Sequence, residues 1–224
     1  MTMTKRNEIA AVIFDMDGLM FDTESIAFKG WKWAGEKSGF PLPESLIYQI
    51  AGNNLKSTRA LLEKAMGSDF DFHHVRQFRL QYAAEHIEKY GVPIKTGLYD
   101  LLDTLERLAI PKAVATSTER ARAEGILAKA NVLDRFRSIV CGDEIQNGKP
   151  APDIFLAAAK KMNAIPEQCV VLEDSEAGIR AASAANMHPF LVPDLRMPAD
   201  DALKMVSKTF SDLGEVAKFF DTYQ

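Results

Sequence analysis

The chain has 224 residues, 47% of them apolar and 26% charged; 27 Lys and Arg against 31 Asp and Glu leave a net charge of −4. That length suits one compact α/β domain, or a core with a smaller inserted domain. The charge balance provides no global basic field, which sets nucleic acid aside as a main partner, and no apolar run approaches the ~18 residues of a transmembrane helix, which sets aside a membrane. Cys141 and Cys169 sit in or beside apolar runs and are expected as buried free thiols of a reducing, cytoplasmic compartment. Met1 to Glu8 is polar and lacks the apolar core of a signal peptide.

The first element is the run Ala10-Ala11-Val12-Ile13-Phe14, which reads as a strand buried on both faces, as in a parallel sheet. It ends in Asp15-Met16-Asp17-Gly18. The segment from about 22 to 92 carries four helical patterns and no convincing strand: Glu24 to Ser38, Glu44 to Ile50, Leu55 to Met66 and Phe72 to Tyr90. Gly39, Gly67 and Gly91 stop three of them and Gly52 follows the other, with prolines nearby. This is expected to be an all-helical insertion into a core made of residues 1–21 and 93–224.

From Gly97 the pattern changes. Leu98, Leu101, Leu102, Leu105 and Leu108 form one face of a helix. Strands then alternate with helices: Ala113 to Ser117, helix Glu119 to Ala130, strand Ser138 to Asp143, helix Pro152 to Met162, strand Cys169 to Asp174, helix Ser175 to Ala185, strand Pro189 to Val192. Lys208 to Phe210 is a candidate edge strand and Asp212 to Phe220 a last helix. The alternation predicts a Rossmann-like, doubly wound parallel α/β sheet.

Three of these strands end in chemically useful groups: Asp15 with Asp17, Thr116 with Ser117, and Glu173 with Asp174. A parallel sheet places all three ends on one edge, where open α/β folds bind ligands. Gly148-Lys149-Pro150 precedes a helix and adds a cation. Asp15 is read as a nucleophile and Asp17 as a proton-transfer group. The four histidines, His73, His74, His86 and His188, show no zinc-ligand spacing.

With these four motifs in this order, the sequence resembles the haloacid dehalogenase superfamily of hydrolases. The motifs are Asp15-Met16-Asp17-Gly18, Thr116-Ser117, Lys149-Pro150 and Glu173-Asp174-Ser175, and they span nearly the whole chain. The helical insertion after the first motif resembles the small α-helical cap of the subgroup that includes phosphoglycolate phosphatases, sugar-phosphate phosphatases and β-phosphoglucomutases. The resemblance implies Mg²⁺ as cofactor, held by Asp15, the backbone carbonyl of Asp17 and Asp174, with Glu173 as a further ligand through water or a supporting partner. It also implies that Thr116, Ser117, Lys149 and the backbone of Met16 hold the phosphoryl oxygens, and that the substrate is a small phosphorylated metabolite acted on by a monomeric enzyme.

A halide leaving group needs no acid at Asp17, so Asp17 together with Glu173-Asp174 favours phosphoryl transfer over dehalogenation. The mutases of the subgroup carry a cap histidine ten residues after the second motif-one Asp; here that position is Ala27, and the cap arginine aligns near Leu55. These departures favour a phosphatase over a phosphosugar mutase. A non-catalytic phospho-ligand binder is the alternative of another class. Within the insertion, the loop Gly52-Asn53-Asn54-Leu55-Lys56 resembles the family's specificity loop, so Asn53, Asn54, Lys56 and Arg59 are expected to select substrate, together with Arg120 just past the second motif.

Overall fold

A computed structural model describes residues 9–52 and 55–222. The chain forms two compact units: one built from residues up to Phe21 and from Ile94 onward, the other from Asp22–Pro93.

The first unit holds a six-stranded, wholly parallel sheet. Its strands are β1 (Ala11–Phe14), β2 (Lys112–Thr116), β3 (Ser138–Cys141), β4 (Cys169–Glu173), β5 (His188–Leu191) and β6 (Lys208–Thr209). Their spatial order is β3-β2-β1-β4-β5-β6. The chain builds outward from β1 in one direction, then returns to lay β4 on the other side of it. That reversal creates a crevice at the carboxyl ends of β1 and β4. Alternate strand residues face opposite sides of a sheet. Ala11, Ile13, Ala113, Ala115, Cys169 and Val171 thus share one apolar core with Ile154, Phe155, Ala158, Ala159 and Met162 of α7 (Asp153–Met162) and with Ala181, Ala182 and Ala185 at α8 (Glu176–Ala184). The small alanines let both helices approach the sheet closely.

The second unit contains α1 (Thr23–Lys37), α2 (Glu44–Ile50), α3 (Leu55–Met66) and α4 (Phe72–Tyr90). Asp22 and Asp71 cap α1 and α4, accepting from the N–H groups of Ser25 at 3.3 Å and His74 at 3.0 Å. The unit has its own core, in which Trp31, Ala34, Leu46, Ile47, Leu62, Phe72 and Val75 meet. Trp31 is buried there, while Trp33 packs edge-on against Phe78. No helix of the described residues is long and apolar enough to cross a membrane.

The remaining elements of the first unit are α5 (Leu98–Arg107), α6 (Arg120–Lys129), α9 (Asp200–Leu203) and α10 (Leu213–Thr222). α5 packs on α10, and Gly97 makes this possible: its φ is +82°, and a Cβ there would collide with the backbone of Gly214. Three differences from the expected elements have local causes. β2 begins one residue early, at Lys112, because the backbone there already pairs with Val12 of β1 and its carbonyl accepts from the Arg137 N–H at 2.9 Å; the buried side chain extends its ammonium to Glu106 at 2.8 Å. β3 stops at Cys141, where the N–H of Cys141 donates to the Glu144 carboxylate at 3.2 Å and residues 142–144 wind into a 3₁₀ turn. The four-residue α9 has too little periodicity to be read from sequence. Both cysteines are free and buried.

Candidate active site

The sheet register assembles the centre of the site. Phe14 pairs with Val114 on one side and Leu172 on the other. One residue further on, Asp15, Ala115 and Glu173 therefore stand level at the ends of three adjacent strands. The N–H of Asp15 still donates to the Leu172 carbonyl at 3.0 Å, which extends the ladder to this level. Lys149 bridges all three strands: its ammonium donates to Asp15, to the Ala115 carbonyl at 3.2 Å and to Glu173 at 2.5 Å. Lys149 is 4% exposed and Glu173 is fully buried. The lysine arrives from the loop before α7 through a cis Lys149–Pro150 peptide, and its ammonium also sits 4.9 Å from the centre of the Phe155 ring.

Beyond this level the chain turns sharply. The Met16 carbonyl accepts from the N–H groups of Met20 and Phe21, and the Gly18 N–H donates to the Phe21 carbonyl at 2.9 Å. Gly18 has φ +89°, and a Cβ on it would strike the Asp174 carboxylate; glycine is thus required on both backbone and steric grounds. The turn carries the Asp17 carboxylate toward the end of β2. There it accepts from the hydroxyls of Thr116 at 3.3 Å and Thr118 at 2.8 Å. The Thr118 N–H donates in turn to the Thr116 hydroxyl at 3.1 Å. Beneath this turn lies Gly142, where a Cβ would collide with the backbone of Ser117.

The end of β4 is held equally firmly. The second oxygen of Glu173 accepts from both the N–H of Ser175 at 3.1 Å and its hydroxyl at 2.9 Å. Ser175 caps α8 through the N–H of Gly178, and a Cβ at Gly178 would occupy the space of the Glu173 carboxylate. Helix, cap and acid are therefore locked together.

Asp15, Glu173 and Asp174 each present one carboxylate oxygen, and these oxygens lie within 4.8 Å of one another. Hard oxygen donors without any sulfur or imidazole suit a hard divalent cation. The charges agree, since three carboxylates face one buried ammonium. Burial pushes the Asp15 carboxyl up to about 8, reinforced by Glu173 and Asp17 and opposed by the Lys149 ammonium. For Lys149, burial alone would lower the ammonium's affinity for its proton, but Asp15 and Glu173 outweigh it and hold the group above its usual value. A divalent cation is the kind of group this excess of negative charge accommodates.

The structure thus brings together Asp15, Asp17, Thr116, Lys149, Glu173 and Asp174. Met16 is buried beside them and Ser117 is exposed at the end of β2. Arg120 is a different case. Its guanidinium is engaged by Glu144 at 2.7 Å, Glu124 at 2.6 Å and the Ile139 carbonyl at 2.8 Å. These partners fasten α6 to β3 and to the turn that follows it. Arg59 pairs with Glu63 at 2.7 Å and with the His73 ring at 3.2 Å, both within the helical unit. Lys56 is exposed on α3. Asn53 and Asn54 lie outside the described residues. Two residues at the site were not anticipated: Thr118, one position beyond the second motif, and Asp194, three residues beyond β5. The only sequence signal for Thr118 was a third consecutive hydroxyl after β2.

The chain is similar to known proteins over most of its length. The family model for haloacid dehalogenase-like hydrolases matches residues 12–192. The chain is 31% identical over 177 residues to a phosphorylated carbohydrates phosphatase of Thermotoga maritima, covering 79% of this chain and 82% of that protein. It is 32% identical over 179 residues to the fructose-1-phosphate phosphatase of Escherichia coli K12, covering 80% and 93% respectively. The crystal structure of a β-phosphoglucomutase from Clostridium difficile shares the fold, with a TM-score of 0.76 over 96% of this chain and 98% of the other at 24% identity. A buried aspartate at the end of the first strand, a bridging lysine and an acidic pair on the neighbouring strand are thus found on a chain that belongs to the haloacid dehalogenase-like hydrolase family.

Proposed function

We propose that this protein is a Mg²⁺-dependent phosphatase that hydrolyses a small phosphate monoester, a sugar phosphate or similar metabolite, through an aspartyl-phosphate on Asp15. The observation that carries the reading is the buried Asp15 carboxylate, bonded by Lys149 and flanked by Glu173 and Asp174, with the Asp17 carboxyl two residues on. The phosphatases of sugar phosphates among the relatives support the substrate class.

A phosphate monoester repels nucleophiles, so its transfer depends on charge neutralisation and in-line positioning. An Asp15 oxygen forms a bond to phosphorus as the bond to the ester oxygen breaks. Asp17 gives its proton to the departing alkoxide. Water then attacks the phosphorus of the acyl-phosphate, Asp17 takes a proton from it, and the Asp15–phosphorus bond breaks to release phosphate. Lys149 offsets charge on Asp15 and the phosphoryl oxygens, while Thr116, Ser117 and the backbone at Met16 hold those oxygens. Asp15, Asp174 and the Asp17 carbonyl, supported by Glu173, are the residues that would hold Mg²⁺, which when bound supplies charge neutralisation between the carboxylates and the phosphoryl group. The helical unit, residues 22–93, acts in this reading as the cap that selects substrate, with Asn53, Asn54, Lys56 and Arg59 as its polar candidates. A buried Ala27, where the mutases carry histidine, favours hydrolysis over phosphosugar mutation. Buried free thiols accord with a reducing, cytoplasmic setting, and we take the enzyme to be a monomer.

A panel of phosphate esters assayed with and without Mg²⁺ tests the proposal. Asp15→Asn is expected to abolish turnover, and Asp17→Asn to retain phosphate binding while turnover falls sharply. Full activity of the Asp15 variant would overturn the assignment.

A further inference from the structure

Asp194 stands beyond the end of β5, and its side chain is 9% exposed. One oxygen, Oδ1, accepts from the Lys95 ammonium at 2.5 Å. The other, Oδ2, is buried and has no hydrogen-bond partner among the described residues. A buried acceptor without a donor is destabilising, so this oxygen calls for a donor. Oδ2 lies beside the Gly18 turn. A Cβ on Gly18 would lie 3.3 Å from Asp194 Oδ2, and the same Cβ would strike Asp174. Carboxylates from the ends of two neighbouring strands thus converge over the one residue of the turn that has no side chain. Asp194 is outside the group formed by Asp15, Glu173 and Asp174, so it is placed to act on that group from one layer further out.

The tether explains why this acid can stand there. Lys95 compensates the charge of Asp194 through Oδ1 and leaves Oδ2 as a directed acceptor. Mg²⁺ usually keeps several of its waters, and each such water is a strong donor. We propose that Asp194 Oδ2 accepts a hydrogen bond from a water held by the divalent cation of the Asp15–Glu173–Asp174 cluster, making Asp194 a positioning residue for that cation and Lys95 its tether. The inference rests on the cation reading of the cluster given under Proposed function.

Calorimetric titration of the full chain with Mg²⁺ alone tests it without reference to turnover. Asp194→Asn is expected to raise the Mg²⁺ dissociation constant by about 10-fold or more, the usual effect of losing an outer partner. An unchanged constant in the folded variant would overturn the proposal. Lys95→Met gives an independent arm: it releases Asp194 from its tether, and Mg²⁺ binding weaker by about 3-fold or more is expected. Removal of a nearby positive charge with no positioning role predicts equal or tighter binding in that variant, and such a result sinks the proposal. Asp174→Asn serves as the reference. If it weakens Mg²⁺ binding while Asp194→Asn does not, only the role of Asp194 falls; if it too leaves binding unchanged, the cation reading of the whole cluster falls with it.

Discussion

At the residue scale, the different surroundings of Asp15 and Asp17 come from the turn between them. Asp15 stays at the level of the sheet, where Lys149 reaches it along with Ala115 and Glu173. Asp17 is carried out of that level by the Gly18 turn and meets two hydroxyls, Thr116 and Thr118. A typical hydrogen bond contributes about 0.5–1.5 kcal/mol. Thr118 therefore orients the proton-transfer carboxyl in the proposed mechanism. Thr118→Val is expected to lower kcat by about 10-fold with little change in the melting temperature, and Thr118→Ser to recover most of the loss. Steady-state kinetics on the two variants, with thermal melts alongside, checks this; equal losses for Val and Ser would place the effect in packing.

At the element scale, the amino end of β2 is stapled by charge. Glu106 near the end of α5 accepts from Lys112 at 2.8 Å and from Arg135 at 2.9 and 2.8 Å, while Arg135 also meets Asp103. Hydrogen bonds from Arg135, then Lys112, lower the Glu106 carboxyl from 4.5 to about 2. Because the folded value is depressed, the staple's contribution is complete above 4.5 and is lost as the pH falls from there toward 2. Glu106 is nearly half exposed, so screening limits the contribution to about 1 kcal/mol. Glu106→Gln is expected to reduce stability by that amount at neutral pH and to converge with the parent chain near pH 2. Denaturant melts across the acid range measure the convergence.

At the scale of the whole molecule, the helical unit leaves and rejoins the sheet-bearing unit at one point. Phe21 and Ile94 pair in an antiparallel bridge, and the Lys95 N–H donates to the Met20 carbonyl at 3.0 Å. The two ends are thus close enough for a short linker to join them. The helical unit has a separate core, and the residues gathered around Asp15 all belong to the other unit. Replacing residues 22–93 with a brief Gly-Ser linker is expected to leave a folded sheet unit that binds Mg²⁺ and hydrolyses a small aryl phosphate, with discrimination among larger phosphate esters lost. Circular dichroism, calorimetry and a substrate panel together check it; retained discrimination would remove substrate choice from the helical unit. What the sequence by itself determined was local in origin. Apolar runs such as Val12 to Phe14 marked strands, helical periodicity with glycine stops marked helices, and four motifs in order pointed to one catalytic edge. Choices of partner across long separations belonged to the tertiary structure alone. Lys95 meets Asp194 across 99 positions and Thr118 meets Asp17 across 101; Arg120 reaches Glu144 and the Ile139 carbonyl. A side chain's partner is set by strand register and helix placement, which bring together residues whose own neighbours in sequence carry no record of the meeting.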